Sequence, residues 1–356
     1  RPGARPLVAV TAILGLVLGS GGAVYAAQQL LAPAREALAS IFTNNAPPVP
    51  PSNGYYNILL LGADSGLGRD SMRFDSISVV SVNADTGAVH ITGIPRDLAH
   101  VPFSAGPMQD LYPDGLEGHV SQTCGWGPGI NQLMNAVEIC REDRGAGLYP
   151  DAAANSSTPA IEATKDAAEG ILGIEIPYYA FVDMKGFADI VDALGGVDIT
   201  VQERLPKGGG PAYDGQSAED WAIGWIEAGP QHMDGDTAQW YARSRYTTSD
   251  ADRMRRQREL QQAILAQANP ANVLTRFQEV AAAGEDLVQT DIPSSLLGFF
   301  VNLAVKAKDQ PVQTLELTLD GAGIDTDKPT PEAYAHVREL IQQALYPPSP
   351  TPTPEG

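Results

Sequence analysis

The sequence predicts an α/β domain of the α+β type. A central mixed, largely antiparallel sheet is flanked by helices, and a transmembrane helix precedes the domain. Three observations predict this. An uncharged run lies at 7–27, short apolar strands follow at 56–62, 75–83 and 88–95, and helical and strand patterns alternate from 159 to 201. The turn at 83–87 is tight, so the strands that it joins run antiparallel.

The N-terminal run is a candidate membrane anchor. Residues 7–27 carry no charge, and about 20 apolar residues span a bilayer as a helix. Arg1 and Arg5 precede the run, which by the positive-inside rule leaves the N-terminus in the cytoplasm. The alternative is a cleaved signal peptide, because the run ends in small residues. The length of the run favours a single-pass protein of the cell membrane, and both alternatives predict an extracytoplasmic domain.

Composition changes along the chain predict its organisation. Proline-rich stretches are typical of spacers and disordered tails. The predicted parts are a cytoplasmic segment at 1–6, the transmembrane helix at 7–27, a juxtamembrane helix and Pro-rich spacer at 28–54, one extracytoplasmic domain at 55–345, and a disordered Pro/Thr-rich tail at 346–356.

The charge of the chain excludes one class of partner. Its 43 acidic and 23 basic residues give a net charge of −20, which argues against nucleic-acid binding. Six arginines nevertheless lie close together, namely Arg243, Arg245, Arg253, Arg255, Arg256 and Arg258. A local cluster of this kind suits a small, dense anion such as phosphate, diphosphate or carboxylate.

The two cysteines fit an exported protein. An even, small number of cysteines in that compartment predicts one disulfide, between Cys124 and Cys140. The alternative is a pair of buried free thiols. The chain has no Cys/His spacing that is typical of a zinc site.

Charged residues mark three strand ends that should meet. In an antiparallel arrangement, the end of the first strand, the start of the second and the end of the third share one edge of the sheet. Asp64 follows the first strand, Arg73 and Asp75 open the second, and Arg96 follows the third. We therefore expect these residues to converge at one rim.

The arginine cluster begins where one predicted helix ends. That helix ends near Trp240, and an extended segment follows. In an extended segment side chains alternate, so Arg243 and Arg245 should point the same way. The alternative is an ordinary charged surface, because exposed arginines are common and stabilise little.

A second predicted helix contributes an inward stripe. Ser249 or Asp250 caps it. Asp250, Arg253 and Gln257 lie on one helical face, which continues into the apolar Leu260. The polar end of the stripe should therefore face a cleft. We expect Arg255 and Arg258 to be solvated and Arg256 to assist phosphate binding.

These residue types suit phosphate chemistry. Asp64 and Asp75 suit Mg²⁺, with Mn²⁺ as the alternative, because hard cations prefer carboxylate and phosphate oxygens. Arginines suit the remaining phosphate oxygens. Asp250 is a candidate general base for an incoming hydroxyl. For Asp64 and Asp75 the alternative is capping of loops at strand ends.

Six segments in order resemble the LytR-CpsA-Psr family over residues 56–265. They are NILLLGADS, RFDSISVVSVN, ITGIPRDL, VDALGGVDITV, DGDTAQWYARSRY and SDADRMRRQREL. The resemblance implies a transferase that moves a glycopolymer from a polyprenyl-diphosphate carrier to an acceptor hydroxyl. The implied acceptor is peptidoglycan, another wall glycan or a protein. Two alternatives are a hydrolase that uses water at the same site and a non-catalytic lipid-phosphate-binding regulator.

The resemblance also implies roles for individual residues. Asp75, Arg96 and Asp250 would be catalytic, and Asp64 and Asp75 would bind the metal. A lipid pocket would lie between the sheet and the helices, with stretches 180–194 and 296–305 as candidates for its lining. The diphosphate would be bound by Arg73, Arg96, Arg243, Arg245, Arg253 and Gln257.

Overall fold

A computed structural model describes most of the predicted extracytoplasmic domain. The described residues are 45–63, 73–267, 288–296, 312–347 and a few positions between 299 and 310. The predicted transmembrane run, Asp64 and the tail from 348 onward lie outside them. Among the residues that the structure describes, no helix is both long and apolar enough to cross a bilayer.

The regular elements of the described chain are numbered in chain order. The strands are β1 Tyr55–Ala63, β2 Phe74–Asn83, β3 Val89–Ile94, β4 His119–Val120, β5 Gly125–Trp126, β6 Tyr178–Asp183, β7 Val197–Val201, β8 Leu205–Lys207, β9 Gly224–Ile226, β10 Gly229–Met233, β11 Val288–Thr290 and β12 Val312–Glu316. The α-helices are α1 Pro107–Leu111, α2 Pro159–Leu172, α3 Met184–Leu194, α4 Ala218–Trp221, α5 Gly235–Arg243, α6 Asp250–Gln267 and α7 Pro331–Leu345.

The central sheet is mixed and largely antiparallel, as the sequence predicted. Its strand order is β11-β6-β1-β2-β3-β12. The pairs β1–β2, β2–β3 and β6–β11 are antiparallel, whereas β1–β6 and β3–β12 are parallel. The parallel pairs join strands that are far apart in the chain, and short hairpins could not make such pairs.

The predicted convergence of strand ends is confirmed. Ala63 at the end of β1 pairs with Phe74 at the start of β2 and with Asp183 at the end of β6. Ile77 of β2 pairs with Ile94 at the end of β3. These strand ends form one edge of the sheet, which we call the polar rim.

Both faces of the sheet are buried, which explains why β1 is apolar along its length. Ile58 and Leu60 face one core, whereas Leu59 and Leu61 face the other. Helices α3, α5 and α6 cover the first face, and α2 and α7 cover the second. Strands covered on both sides read as continuous apolar runs rather than as alternating ones.

Local signals set the bounds of the covering helices. The Thr158 hydroxyl accepts a hydrogen bond from the Ile161 amide at the start of α2, and Gly173 ends the helix with a φ of 68°. The prediction that this helix ends at glycine is confirmed. At the polar rim, the Asp183 carboxylate accepts from the Gly186 amide at 2.6 Å and caps α3.

The predicted disulfide is present. Cys124 and Cys140 are bonded, with their Cα atoms 5.6 Å apart. The bond joins the β4–β5 hairpin to a π-helical segment at Asn135–Ile139. The alternative of two free thiols is therefore wrong.

Candidate functional site

A cleft with a volume of about 210 Å³ opens at the polar rim, between the strand ends and helices α5 and α6. We call it the rim cleft. Among its lining are six residues that the sequence predicted to belong to one site, namely Asp75, Arg96, Arg243, Arg245, Arg253 and Gln257. The fold thus brings together residues that are up to 182 positions apart, from 75 to 257.

An ion pair lies within the rim cleft. Arg96 Nη1 donates a hydrogen bond to Asp75 Oδ1 at 2.6 Å. The two side chains are 23% and 27% exposed. Because the pair is partly solvated it adds little to the stability of the fold. Its exposure also allows a ligand with phosphate oxygens to reach both groups.

Helix α5 is longer than the sequence predicted. It continues past Trp240 and ends at Arg243, so the prediction of an extended segment carrying Arg243 and Arg245 on one face is wrong. The chain leaves the helix at Ser244, with φ −58° and ψ 129°. Both arginines line the rim cleft because the chain bends at this residue.

Arg256 explains where α5 ends. Its side chain is 1% exposed and donates to the carbonyl of Tyr241 at 3.2 Å, to the carbonyl of Ser244 and to the hydroxyl of Thr248 at 3.0 Å. A cation at the C-terminus of a helix satisfies carbonyls that have no partner within the helix. Arg256 therefore positions the segment that carries the cleft arginines and does not line the cleft. Its place four residues before the buried Leu260 was the signal that it faces inward.

The predicted inward stripe of α6 is confirmed from Arg253 onward. Arg253 is 5% exposed although it lines the cleft, and Leu260 and Ile264 are fully buried. Gln257 Nε2 donates to the Ala242 carbonyl at 3.2 Å and so ties α6 to α5. A guanidinium at this depth is poorly hydrated, which favours an anionic ligand beside it.

The outer arginines of α6 differ from each other. Arg255 is 34% exposed and pairs along the helix with Asp252 and Glu259, as expected for a solvated face. Arg258 was expected to be solvated, which is wrong. Its side chain is 12% exposed and pairs with Glu316 at the end of β12. Strand β12 lies beside β3, and this position brings Glu316 to helix α6, although the two elements are about fifty residues apart in the chain.

Three predicted residues are not among the described lining of the rim cleft. Arg73 is exposed just before β2 and is not part of the cleft lining. Asp250 is the first residue of α6, but its side chain is not described, and Asp64 lies outside the described residues. The cap of α6 is settled at Ser249, whose hydroxyl accepts from the Asp252 amide at 3.1 Å.

An apolar slot adjoins the rim cleft. It has a volume of about 70 Å³ and lies between the sheet and helices α3, α5 and α6. The slot and the cleft share Gly62, Ser76 and Gln257. Val182 and Phe187, from the stretch 180–194 proposed for a lipid pocket, contribute to its wall. A charged cleft thus opens directly into an apolar one.

The rim cleft offers one carboxylate ligand to a hard cation. Among the described residues, no group of three or more His, Cys, Asp or Glu side chains forms a metal cluster. Asp75 supplies one carboxylate within the cleft. Mg²⁺ commonly takes one or two carboxylates and completes its coordination with phosphate oxygens and water. The residues present therefore fit a cation that binds together with a phosphate ligand.

Comparison with known proteins identifies the family. The LytR_cpsA_psr family model matches residues 27–106 and 153–342, and the chain belongs to this family. The resemblance found in the sequence is thereby confirmed.

Two curated relatives match over much of the chain. Biofilm regulatory protein A of Streptococcus mutans is 25% identical over 276 residues, which is 76% of this chain and 58% of the relative. The polyisoprenyl-teichoic acid–peptidoglycan teichoic acid transferase TagU of Bacillus cereus is 27% identical over 238 residues, which is 66% of this chain and 60% of the relative. The chain thus spans about three fifths of the length of each relative.

Two solved structures share the fold. A protein from Streptococcus agalactiae superposes with a TM-score of 0.56 at 20% identity, covering 82% of this chain and 88% of that chain. TagV of B. subtilis superposes with a TM-score of 0.52 at 20% identity, covering 83% of this chain and 98% of that chain. At this level of identity the likeness concerns the fold alone.

Proposed function

We propose that this protein is a membrane-anchored transferase of the cell wall. It moves a glycopolymer from a polyprenyl-diphosphate carrier to an acceptor hydroxyl. The observation that carries the proposal is the rim cleft, rich in arginine, that opens into an apolar slot. A diphosphate with a lipid tail needs such a pair of environments side by side. The relative TagU, named as a transferase of teichoic acid to peptidoglycan, supports the proposal.

The cleft arginines would act mainly by binding and by neutralising charge. Guanidinium groups bind phosphate oxygens in bidentate fashion. Arg243, Arg245 and Arg253 surround the space in which a diphosphate would lie, and Arg96 lies across it beside Asp75. Catalysis of attack at phosphorus is largely positioning and stabilisation of the charge that develops.

The proposed reaction forms one P–O bond and breaks another. The acceptor hydroxyl attacks the phosphorus that carries the glycan, and the bond from that phosphorus to the bridging oxygen breaks. The lipid leaves as polyprenyl monophosphate, and the glycan becomes joined to the acceptor through a phosphodiester. Asp250, at the start of α6, is the proposed acceptor of the hydroxyl proton.

Asp75, together with Asp64, would hold Mg²⁺ or Mn²⁺. When bound, the cation offsets charge on the diphosphate oxygens. Asp75 lines the cleft, which supports this proposal, and the role of Asp64 rests on the sequence alone.

The apolar slot would receive the start of the lipid tail. Its volume of about 70 Å³ holds only a few carbon atoms, so helices α3, α5 and α6 would have to separate to admit a longer tail. The predicted anchor at 7–27 would keep the cleft close to the outer surface of the membrane, where a polyprenyl carrier is available. The acceptor would be peptidoglycan, another wall glycan or a protein.

The test uses the full chain in detergent micelles with a defined donor. The donor is octaprenyl diphosphate that carries a short glycan, supplied with Mg²⁺ and peptidoglycan fragments. Release of octaprenyl phosphate and transfer of the glycan are measured together. We expect both to require Mg²⁺ and to be lost in Arg253→Ala and Arg96→Ala.

A matched control comes from the same helix. Arg255→Ala removes an arginine two positions from Arg253, on the outer face of α6. This variant should keep the turnover of the wild type. Turnover that survives in Arg253→Ala would contradict the proposed site. Release of octaprenyl phosphate with water as the only acceptor would indicate the hydrolase, and tight lipid binding without any turnover would indicate the regulator.

A further inference from the structure

The rim cleft has an aromatic wall in addition to its arginines. Trp240 and Tyr246 line the cleft, and Tyr246 is 49% exposed. Trp221 of the short helix α4 packs edge-to-face against Tyr246, with ring centroids 5.4 Å apart and an interplanar angle of 71°. We call Trp221, Trp240 and Tyr246 the aromatic wall. None of the roles proposed above uses it.

Two glycines, Gly208 and Gly210, leave space for two of these rings. A Cβ atom added to Gly210 would lie 2.1 Å from the Tyr246 ring, and one added to Gly208 would lie 3.4 Å from the Trp221 ring. Gly208 also has a φ of 137°, which side-chain-bearing residues rarely adopt. Absence of side chains at 208 and 210 therefore lets both rings lie against the backbone at the edge of the cleft.

The rings lie next to groups proposed to bind phosphate. The Arg245 guanidinium is 5.7 Å from the centroid of the Tyr246 ring, and the Arg243 guanidinium is 5.3 Å from the Trp240 ring. A group bonded directly to a phosphate held by Arg243 and Arg245 would therefore come within reach of the aromatic wall.

Among the described residues, two recesses that adjoin the cleft are apolar or small. The apolar slot meets the cleft at Gly62, Ser76 and Gln257, and the aromatic wall is not part of it. A further recess beside Arg258 and Glu316 has a volume of about 30 Å³, which holds only a few water molecules. With the lipid in the slot, the aromatic wall is the part of the described cleft lining that remains for the substituent on the second phosphate.

A sugar is the substituent that suits this wall. A pyranose ring has apolar C–H faces and polar hydroxyl edges, so it stacks on the face of Tyr or Trp while its hydroxyls stay hydrated. We propose that Tyr246 and Trp240 bind the sugar that is bonded to the diphosphate of the lipid-linked glycan, with Trp221 positioning Tyr246. This inference rests on the proposed function, because it takes the diphosphate to lie among the cleft arginines.

The test compares two probes on the full chain in detergent. One probe is octaprenyl diphosphate, and the other is octaprenyl diphosphate that carries one N-acetylglucosamine. We expect Tyr246→Ala to weaken binding of the sugar-bearing probe by about tenfold, the effect of losing one stacked ring. Binding of the sugarless probe should stay unchanged, which also shows that the variant is folded.

Two further variants serve as controls. Tyr246→Phe keeps the ring and should bind both probes like the wild type. Tyr213→Ala removes a ring that is 66% exposed in the loop between β8 and α4 and does not line the cleft, and this variant should also behave like the wild type.

The outcomes separate this inference from the proposed function. Equal losses for both probes in Tyr246→Ala, or no loss for either, would overturn the sugar site while the diphosphate site stands. A wild type that does not bind octaprenyl diphosphate would overturn the proposed function, and the sugar site with it. Loss of acceptor use without loss of sugar-probe affinity would assign the wall to the acceptor and overturn the inference.

Discussion

The two rims of the central sheet each carry an ion pair, but the two pairs differ in exposure and in charge balance. At the polar rim, Arg96 and Asp75 are about one quarter exposed. At the opposite rim, the side chains of Lys165 and Asp291 are 9% and 6% exposed. Lys165 also pairs with Glu162 at 3.1 Å.

The rim that carries Lys165 and Asp291, which we call the closed rim, is a buried network of paired groups. Asp291 accepts a hydrogen bond from the Tyr179 amide at 2.7 Å in addition to its pair with Lys165. Burial raises the pKa of Asp291 to about 6, against the attraction of Lys165, which lowers it. At the polar rim, by contrast, several arginines lie around few carboxylates. An excess of positive charge at an open cleft suits an anionic ligand, whereas a buried network in which one lysine pairs with two carboxylates serves the fold.

The largest effect on stability is expected at the closed rim. Lys165→Ala leaves the buried Asp291 and the half-buried Glu162 without their cation, so the free energy of unfolding should fall by about 3–5 kcal/mol. Denaturant unfolding measures it. The exposed pair of Arg204 with Glu219 is the control, and Arg204→Ala should change the free energy of unfolding far less. A similar small cost for Lys165→Ala would remove the distinction between the rims.

The polar rim should respond in the opposite way. Arg96→Ala should lower the rate of octaprenyl phosphate release by about 10²–10³, the usual cost of removing a group that stabilises developing charge. The free energy of unfolding should change by less than about 1 kcal/mol, because the pair with Asp75 is partly exposed. A variant that unfolds readily while its folded fraction keeps full turnover would place Arg96 with the structural pairs.

The free energy of unfolding should depend on pH through a buried histidine. Burial lowers the pKa of His90 on β3 from 6.5 to about 4. The unfolded chain therefore binds this proton between pH 6.5 and pH 4 while the folded chain does not, and the stability due to neutral His90 is lost as pH falls through that range. The expected loss is about 3 kcal/mol.

The measurement isolates His90 from the carboxyl groups. Asp166 and Asp291, whose pKa values burial raises to about 6, act with the opposite sign. The free energy of unfolding is therefore compared between wild type and His90→Gln from pH 7 to pH 4. The variant should lose less stability over this range, and parallel curves would contradict the assignment.

A substitution of Arg256 tests whether this buried side chain holds the cleft arginines at the polar rim in place. Arg256→Met should cost about 1–3 kcal/mol of stability, because the carbonyls of Tyr241 and Ser244 lose their buried donor. Binding of inorganic diphosphate should also weaken, because Arg243 and Arg245 lose their fixed positions. Arg256→Lys should recover part of the stability. Diphosphate affinity that is unchanged in Arg256→Met would limit this residue to a structural role.

The smallest effect is expected in the apolar slot. Ala242→Leu adds three carbon atoms to the wall of a space of about 70 Å³. Binding of octaprenyl diphosphate should weaken by about tenfold, which is 1.4 kcal/mol, while inorganic diphosphate should bind as before. Equal binding of the lipid by wild type and variant would mean that the tail lies elsewhere.

Local patterns predicted much of the molecule. Apolar runs and tight turns predicted β1, β2 and β3 and the meeting of their ends. Helical spacing predicted that Arg253 and Gln257 lie on the inward face of α6. These predictions succeeded because alternation, helical periodicity and turn preference act over a few neighbouring residues.

Contacts between distant segments were beyond such patterns. The end of α5 at Arg243 depends on Arg256 of the next helix, which binds the terminal carbonyls. The burial of Arg258 depends on β12, which reaches the edge of the sheet beside β3 and brings Glu316 with it. The sequence shows which side chains are charged and on which face of an element they lie. Only the packing of elements that are far apart in the chain decides which charges are buried as structural pairs and which remain open to a ligand.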